Sequence, residues 1–313
     1  RDAQESRGLG DVYKRQKEET IKCVESIIAH TQDIEYEVFI VDNDSKDGSY
    51  EFLADKYEKN HKVMVFKTKK NEGYSAGNNY ICKQLDTEKY DRICIVNSDV
   101  IFNNNALKLM SENISKDVAV TGPSVHDYNG NETQLLRKTY DFMLYMCSKK
   151  PLYYLRNRSN RFATEYPYTK DKFEFYGMLS GCCFMIDSKI FKRIGYFDEN
   201  VFLYCEEWII AYKLQKMHKK VCYIPEASVT HYNGKSTSKR GKGFQSLYLY
   251  ISAFYYLRYY VKINILERIY VYLQNTSVFI LRSIADKTYR GELRKYIKYA
   301  NKIFMSNDKI KIR

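Results

Sequence analysis

Asp42 and Asp44, the run Asn71 to Asn79, and Asn97 with Asp99 are three acid- and amide-rich clusters, each placed just after a short strand-like run. Hard divalent cations that bridge phosphates prefer oxygen ligands and take one or two from protein. Asp99 is the strongest such ligand here and Asn97 a weaker oxygen donor, while His231, ahead of Tyr232-Asn233-Gly234-Lys235-Ser236, offers a nitrogen. Gly73 and Gly77 permit close backbone approach before a helix N-terminus, a combination that can receive phosphate. Neither a P-loop nor a G-x-G-x-x-G spacing occurs there. Glu206-Glu207 opens a helix, where the helix dipole favours acids and where a carboxylate can also act as general base toward a hydroxyl. Trp208 beside them either stacks on a ring-shaped ligand or fills core. Turn and cap chemistry is the alternative for any one cluster. Three clusters at successive strand ends are harder to dismiss, because open α/β sheets bind ligands outside the carboxyl ends of their strands.

These residues need strands and helices to position them, and from Lys17 the chain alternates both signals, predicting an α/β fold with a mostly parallel sheet under covering helices. Thr20 to Ala29 reads as an amphipathic helix with Ile21, Val24, Ile27 and Ile28 on one face. Strands are expected at 38–41, 62–68, 92–96, 118–121 (ended by Gly122-Pro123), 181–186, 221–224 and near 229. Helices are expected near 49–57, 71–85, 106–114, 188–194 and 206–218, and residues 126–176 read as a loop-rich insertion. After Lys239 helical periodicity dominates, with Gly241 and Gly243 as a hinge. The domain reading is therefore a catalytic body over 17–238 and a helical tail over 239–313. Residues 1–16 are polar and aperiodic, read as a foreign or misread extension, and set aside.

Composition narrows the class. The 313 residues are 44% hydrophobic and 28% charged, which excludes wholesale disorder. Eight cysteines show no paired framework or metal spacing, as expected of reduced, buried thiols. Residues 239–313 hold 16 Lys+Arg against 4 Asp+Glu, so nearly all of the net charge of +13 lies in the tail. An acidic partner is implied for the tail alone; nucleic acid is set aside because no recognition module accompanies the charge.

V-D-N-D-S-K-D-G-S at 41–49, N-E-G-Y-S-A-G-N-N at 71–79, N-S-D-V at 97–100, G-C-C-F-M-I at 181–186, F-L-Y-C-E-E-W at 202–208 and V-T-H-Y-N-G-K-S at 229–236 together resemble the family-2 glycosyltransferases. The nearest subgroup is the bacterial rhamnosyltransferase-like enzymes of surface-polysaccharide synthesis, and the match spans about residues 17–240. The resemblance implies a GT-A type fold, a nucleoside-diphosphate sugar donor, Mg²⁺ or Mn²⁺, and inversion at the anomeric carbon. Carried over by position, Asp42 and Asp44 face the nucleoside, with Asn43 alongside. Asn71, Gly73, Gly77 and Asn78 line the donor site together with Asn97 and Ser98. Asp99 is the metal-binding acid, His231 the late metal or diphosphate histidine, Glu207 the base with Glu206 beside it, and Gly181 and Trp208 border the acceptor. Three features depart from the pattern. The central first strand with its Tyr-Asn tip is missing, the usual Glu-Asp becomes Glu206-Glu207, and the acid often found two residues later is Ile209.

Leu247 to Val261 and Tyr270 to Ile284 are apolar and Tyr-rich but interrupted, and too short to span a bilayer. Beside Lys and Arg they suit helices lying on an anionic membrane surface or a cap packed on the catalytic domain, and the two are compatible. The partners expected are a dTDP- or UDP-linked sugar and a glycan or lipid-linked acceptor, at the cytoplasmic face of a membrane. A sugar nucleotidyltransferase and an inactive transferase-derived scaffold are the alternatives.

Overall fold

The computed structural model describes residues 17–149, 163–167, 169–232 and 241–313. The extension at 1–16 and residues 233–236 of the last motif lie outside them. The first half comprises α1 (residues 17–30), β1 (Val38–Asp42), α2 (Ser49–Tyr57), β2 (Val63–Lys67), α3 (Tyr74–Cys82), β3 (Arg92–Val96), β4 (Val100–Phe102), α4 (Ala106–Glu112) and β5 (Val118–His126). Next come β6 (Arg137–Lys138), α5 (Phe142–Cys147), β7 (Phe173–Phe175), β8 (Gly177–Met178), β9 (Cys183–Asp187), α6 (Ser188–Arg193), α7 (Glu206–Lys216) and β10 (Lys220–His231). The tail is α8 (Gly241–Tyr256), a π-helical turn (Leu257–Val261), α9 (Ile265–Ala285) and α10 (Lys287–Met305).

The α/β class is as expected, but the sheet is mixed rather than mostly parallel. The main sheet runs β3-β9-β5-β10-β4 with β7 on β10. Only β5–β10 is parallel within it, while β3–β9, β5–β9, β4–β10 and β7–β10 are antiparallel. A continuous apolar run marks a strand; it encodes neither the direction of its neighbours nor full burial, since Val38 to Val41 are half-buried. β1 and β2 form a separate parallel pair. Among the described residues no strand joins β1 to β3, the place the resemblance gives to a central first strand. Helix α1 spans that interval. Its Val24 packs with Leu53, Tyr57 and Val63, and its Cys23 and Ile27 with Val100, Phe102 and Met110 of the main body. Gly122-Pro123 does not end β5; the ladder to β10 continues past it, with a shift in register between Ile224 and Ser228.

The tail is built into the body. Helix α8 buries Leu247, Tyr248 and every residue from Tyr250 to Tyr256, as a helix apolar on all sides must. Its core is continuous with Tyr140, Tyr145, Val201, Cys205 and Ile209. Buried tyrosines need hydroxyl partners, and these cross the boundary: Tyr256 donates to Tyr140 O, Tyr145 to Asn275 Oδ1 and Ser252 to Leu203 O. Gly243 is tightly packed, since a Cβ there would lie 2.1 Å from Thr288 O. The seven cysteines whose side chains are described are free thiols.

Candidate active site

The polar clusters converge through main-chain contacts. Asp42 ends β1 buried, its Oδ1 accepting the Ser45 amide at 2.8 Å, while Asp44 (φ 62°) pairs with Lys46. Turn chemistry thus occupies one oxygen of each acid. Asn43 ties this turn to the glycine loop. Its amide donates to Gly73 O (3.0 Å) and Asn71 Oδ1 (3.3 Å), and its carbonyl accepts from Thr68 (3.0 Å). Gly73 sits at φ 97°, and a Cβ there would lie 2.2 Å from Phe202 O; both conformation and contact require glycine. A Cβ on Gly77 would stand 3.1 Å from the Asn43 amide. Asn78 bonds back to Tyr74 O within its helix. Asn79, wholly buried, clamps α3 onto Phe197 and Glu199.

Asn97 to Val100 is the tight turn between β3 and β4, closed by Val100 N to Asn97 O at 3.2 Å, with Ser98 exposed at its tip. It presents Asp99 to His231 at the end of β10, where His231 Nε2 and Asp99 Oδ1 are 3.1 Å apart. Antiparallel pairing of Val100 with His231 sets that meeting. Burial pulls the imidazole pKa down, but hydrogen bonds to Asp99 and Cys182 outweigh it and raise the pKa to about 10.

Glu206 and Glu207 start α7 after two consecutive left-handed residues, Tyr204 (φ 65°) and Cys205 (φ 66°). Non-glycine residues rarely adopt this conformation, so neighbouring structure must hold the turn; Ser252 does so from α8 by binding Leu203 O. Glu207 lies against Gly181, whose amide bonds its carboxylate; a Cβ on Gly181 would be 2.2 Å from Glu207 Oε1. Burial raises the Glu207 carboxyl above its usual range, against opposing contributions from helix amides, Arg137 and Gly181. An apolar cavity lined by Val120, Leu179, Phe184, Ile210 and Leu214 reaches the same side chain. Gly181 O accepts from the Tyr74 hydroxyl at 3.1 Å, and the next residue, Cys182, reaches His231. Residues 181–182 therefore join the acid on α7, the glycine-loop helix and the Asp99–His231 pair into one neighbourhood.

Of the two residues expected to border the acceptor, Gly181 cradles Glu207, and Trp208 packs edge-on against Tyr140 (4.4 Å) and Tyr256 (5.6 Å) in the aromatic core. Substituting Gly181→Ala is expected to displace Glu207 and cost about 1–3 kcal/mol of stability, the scale of overpacking a close contact, which denaturant titration checks.

Glu206 is buried with Oε2 unpartnered. Burial first, and then the charge of Glu207, raise its carboxyl well above the ordinary value of 4.5. A raised folded-state pKa gives stability that is complete below the unfolded value and lost as pH rises through the folded one. Glu206→Gln is thus expected to flatten that loss, because an amide does not titrate, and denaturant titrations over a series of pH values from acid to alkaline test it.

Sequence reasoning missed several positioning residues. Arg137 comes from the aperiodic insertion. Asp198, just upstream of the 202–208 motif, accepts from Tyr255 (2.9 Å), Tyr260 (2.6 Å) and Lys309 (3.3 Å). Burial would raise its carboxyl, but these partners and the Asn200 amide hold it below the usual range. Glu72 in the glycine loop pairs with Lys311 (3.1 Å) and Arg313 (2.8 Å), while Ile312 N donates to Asn200 O. Pairs 111 and 239 residues apart carry no local signal.

Over 217 residues the chain is 24% identical to N-acetylglucosaminyl-diphospho-decaprenol L-rhamnosyltransferase of Mycobacterium tuberculosis, covering 64% of this chain and 68% of that protein. Similar solved structures include GalNAc-T7 with UDP, GalNAc and Mn²⁺ (TM-score 0.49, 14% identity, 68% of this chain). Another is the mannosyltransferase PcManGT from Pyrobaculum calidifontis with GDP-Man and Mn²⁺ (TM-score 0.48, 12% identity, 94% of this chain). The chain spans 40% of the length of the former and 84% of the latter. The pattern named Glycosyl transferase family 2 matches residues 12–195, more than half of the chain and including the three acid and amide clusters. The chain belongs to glycosyl transferase family 2.

Proposed function

We propose that this glycosyltransferase moves a sugar, with inversion, from a nucleoside-diphosphate donor to a hydroxyl of a lipid-linked or polysaccharide acceptor in cell-surface glycan synthesis. The observation that carries the reading is the contact path Glu207–Gly181–Cys182–His231–Asp99, which puts a candidate base and a candidate cation pair in one neighbourhood.

Glu207 takes the proton of the acceptor hydroxyl while that oxygen attacks the anomeric carbon and the bond to the diphosphate breaks on the opposite side. A sugar hydroxyl is a poor nucleophile at neutral pH, so a base held at attack distance is what the step needs. The partly desolvated carboxylate of Glu207 is the stronger base for its raised pKa.

Asp99 and His231 fit a Mg²⁺ or Mn²⁺ site. Their facing atoms, Nε2 and Oδ1, are 3.1 Å apart; a cation there would displace the proton they share and complete its shell with diphosphate and water. Among the described residues no group of three or more His, Cys, Asp and Glu could hold an ion by itself. When bound, the cation supplies charge neutralisation of the leaving diphosphate. Asp42, Asn43 and the Asn71–Gly77 loop then form the nucleoside side.

The mycobacterial relative is named for rhamnose and a lipid-linked acceptor, so dTDP-rhamnose heads the donor candidates, with UDP-sugars next. Work at the cytoplasmic face of a membrane follows from such an acceptor. Among the described residues no helix is long and apolar enough to cross a membrane. The test is nucleoside diphosphate release from a panel of nucleotide sugars with Mn²⁺, with and without membrane extract. Release that depends on extract is the expected result. Pyrophosphate release from a nucleoside triphosphate and a sugar phosphate would replace transfer with nucleotidyl chemistry.

A further inference from the structure

We infer that the outer face of the α9–α10 hairpin is a docking surface for anionic lipid, a claim that rests on the membrane-peripheral reading above and gives it a location. Helix α9 is amphipathic in the opposite sense to an ordinary surface helix. Its inner face buries Val271, Asn275, Phe279 and Ser283, with the Phe279 ring stacked on Tyr296 at 4.3 Å. Its outer face is a ladder of exposed apolar side chains: Leu266 (74% exposed), Tyr270 (43%), Leu273 (59%), Leu281 (66%) and Ile284 (68%). These positions recur at helical spacing over the 21 residues of α9, so they form one stripe. The stripe is interrupted by the exposed Ser277, and an exposed apolar patch of this kind marks an interaction surface.

Charge selects the partner. The next helix, α10, exposes Lys287, Arg290, Arg294, Lys298 and Lys302 on the side opposite its buried Tyr289, Tyr296 and Ala300. Arg290 donates to Ser283 O (3.1 Å) and Ile284 O (2.8 Å), so the basic row begins where the apolar row ends. Two of the hairpin's acids are engaged in helix caps: Glu267 closes a capping box with Asn264, and Asp286 caps α10. An apolar stripe beside uncompensated Lys and Arg is the pattern of a helix lying in the interface of an anionic bilayer. A second copy of the chain would bring the same positive row against itself.

The arrangement also divides the labour within the tail. Helix α8, more apolar in sequence, is consumed in the core, and the lipid-facing role falls to α9, whose aliphatic side chains stay outside.

The test uses the whole protein and vesicles of phosphatidylcholine with or without phosphatidylglycerol. Wild type is expected to co-sediment with the anionic vesicles and to be released by salt. The variant Leu273→Glu/Leu281→Glu, both positions exposed and outside the catalytic neighbourhood, is expected to bind at least roughly tenfold more weakly. Its nucleotide binding without vesicles should be unchanged. Arg294→Glu/Lys298→Glu is expected to abolish the preference for anionic over neutral vesicles. Wild-type binding that survives both double variants would overturn the assignment of this face while leaving membrane association standing. No vesicle binding by wild type would overturn both. A wild-type dimer in sedimentation that Leu273→Glu/Leu281→Glu renders monomeric, without vesicle binding, would assign the face to a second copy.

Discussion

Glu207→Gln is expected to lower sugar transfer by roughly 10²–10⁴-fold, the usual worth of a positioned general base, while Mn²⁺-dependent nucleotide binding stays within about twofold, because no cation ligand is altered. The amide keeps the size of the side chain and can still meet the Gly181 amide through its oxygen, but it cannot accept the hydroxyl proton. The pH dependence supplies an independent check. Burial raises the carboxyl of Glu207, and a base works only when deprotonated. Activity should therefore rise with pH through a value above the ordinary 4.5 of a glutamate. Glu207→Gln should lose that limb and not merely shift it. Full turnover in a folded Glu207→Gln would remove the base assignment. Glu206→Gln gives the contrast: that carboxyl is buried with its Oε2 unpartnered, so its main effect is expected on the pH dependence of stability.

The second large effect is expected at the Asp99–His231 pair. Asp99→Asn keeps the shape of the β3–β4 turn but removes the charge, and His231→Gln removes the imidazole. A cation clamp on a leaving diphosphate is worth several kcal/mol, so either variant should lose roughly 10²-fold or more in kcat/KM. The loss should appear as weaker Mn²⁺-dependent binding of nucleoside diphosphate, measured by calorimetry. Since the two side chains touch, the double variant should cost much less than the sum of the singles. Additive losses would mean that the two act at separate places.

Much of this was legible in the residues themselves, for identifiable reasons. The run Val38 to Val41 ending in Asp42 marks a strand with an acid at its tip, and β1 has those bounds, but its apolar side chains are half-buried and Asp42 alone is buried, so the expected burial on both faces is not met. The helical period of apolar positions in α1 named Val24 and Ile27, which pack on the two sheets, but not Cys23 beside them. Strand direction was not legible, because burial on two faces looks the same in parallel and antiparallel neighbours; hence the mixed sheet. The left-handed pair Tyr204–Cys205 carries no glycine to mark it. Trp208 could stack on a ligand or fill core by composition alone, and its contacts with Tyr140 and Tyr256 are formed by segments far apart in the chain. The tail was ambiguous for a physical reason as well. Apolar content alone ranks α8 above α9 as a membrane element, yet the burial of α8 is what ties the tail to the loop before Glu206.

The most direct measurement of the central claim is anomalous diffraction from crystals of Glu207→Gln holding Mn²⁺ and a nucleotide sugar. A manganese peak is expected at coordinating distance, about 2.1–2.2 Å, from both Asp99 and His231. The anomeric carbon should lie between that peak and residue 207. A peak held by other side chains, or a donor sugar whose reacting carbon faces away from residue 207, would contradict it.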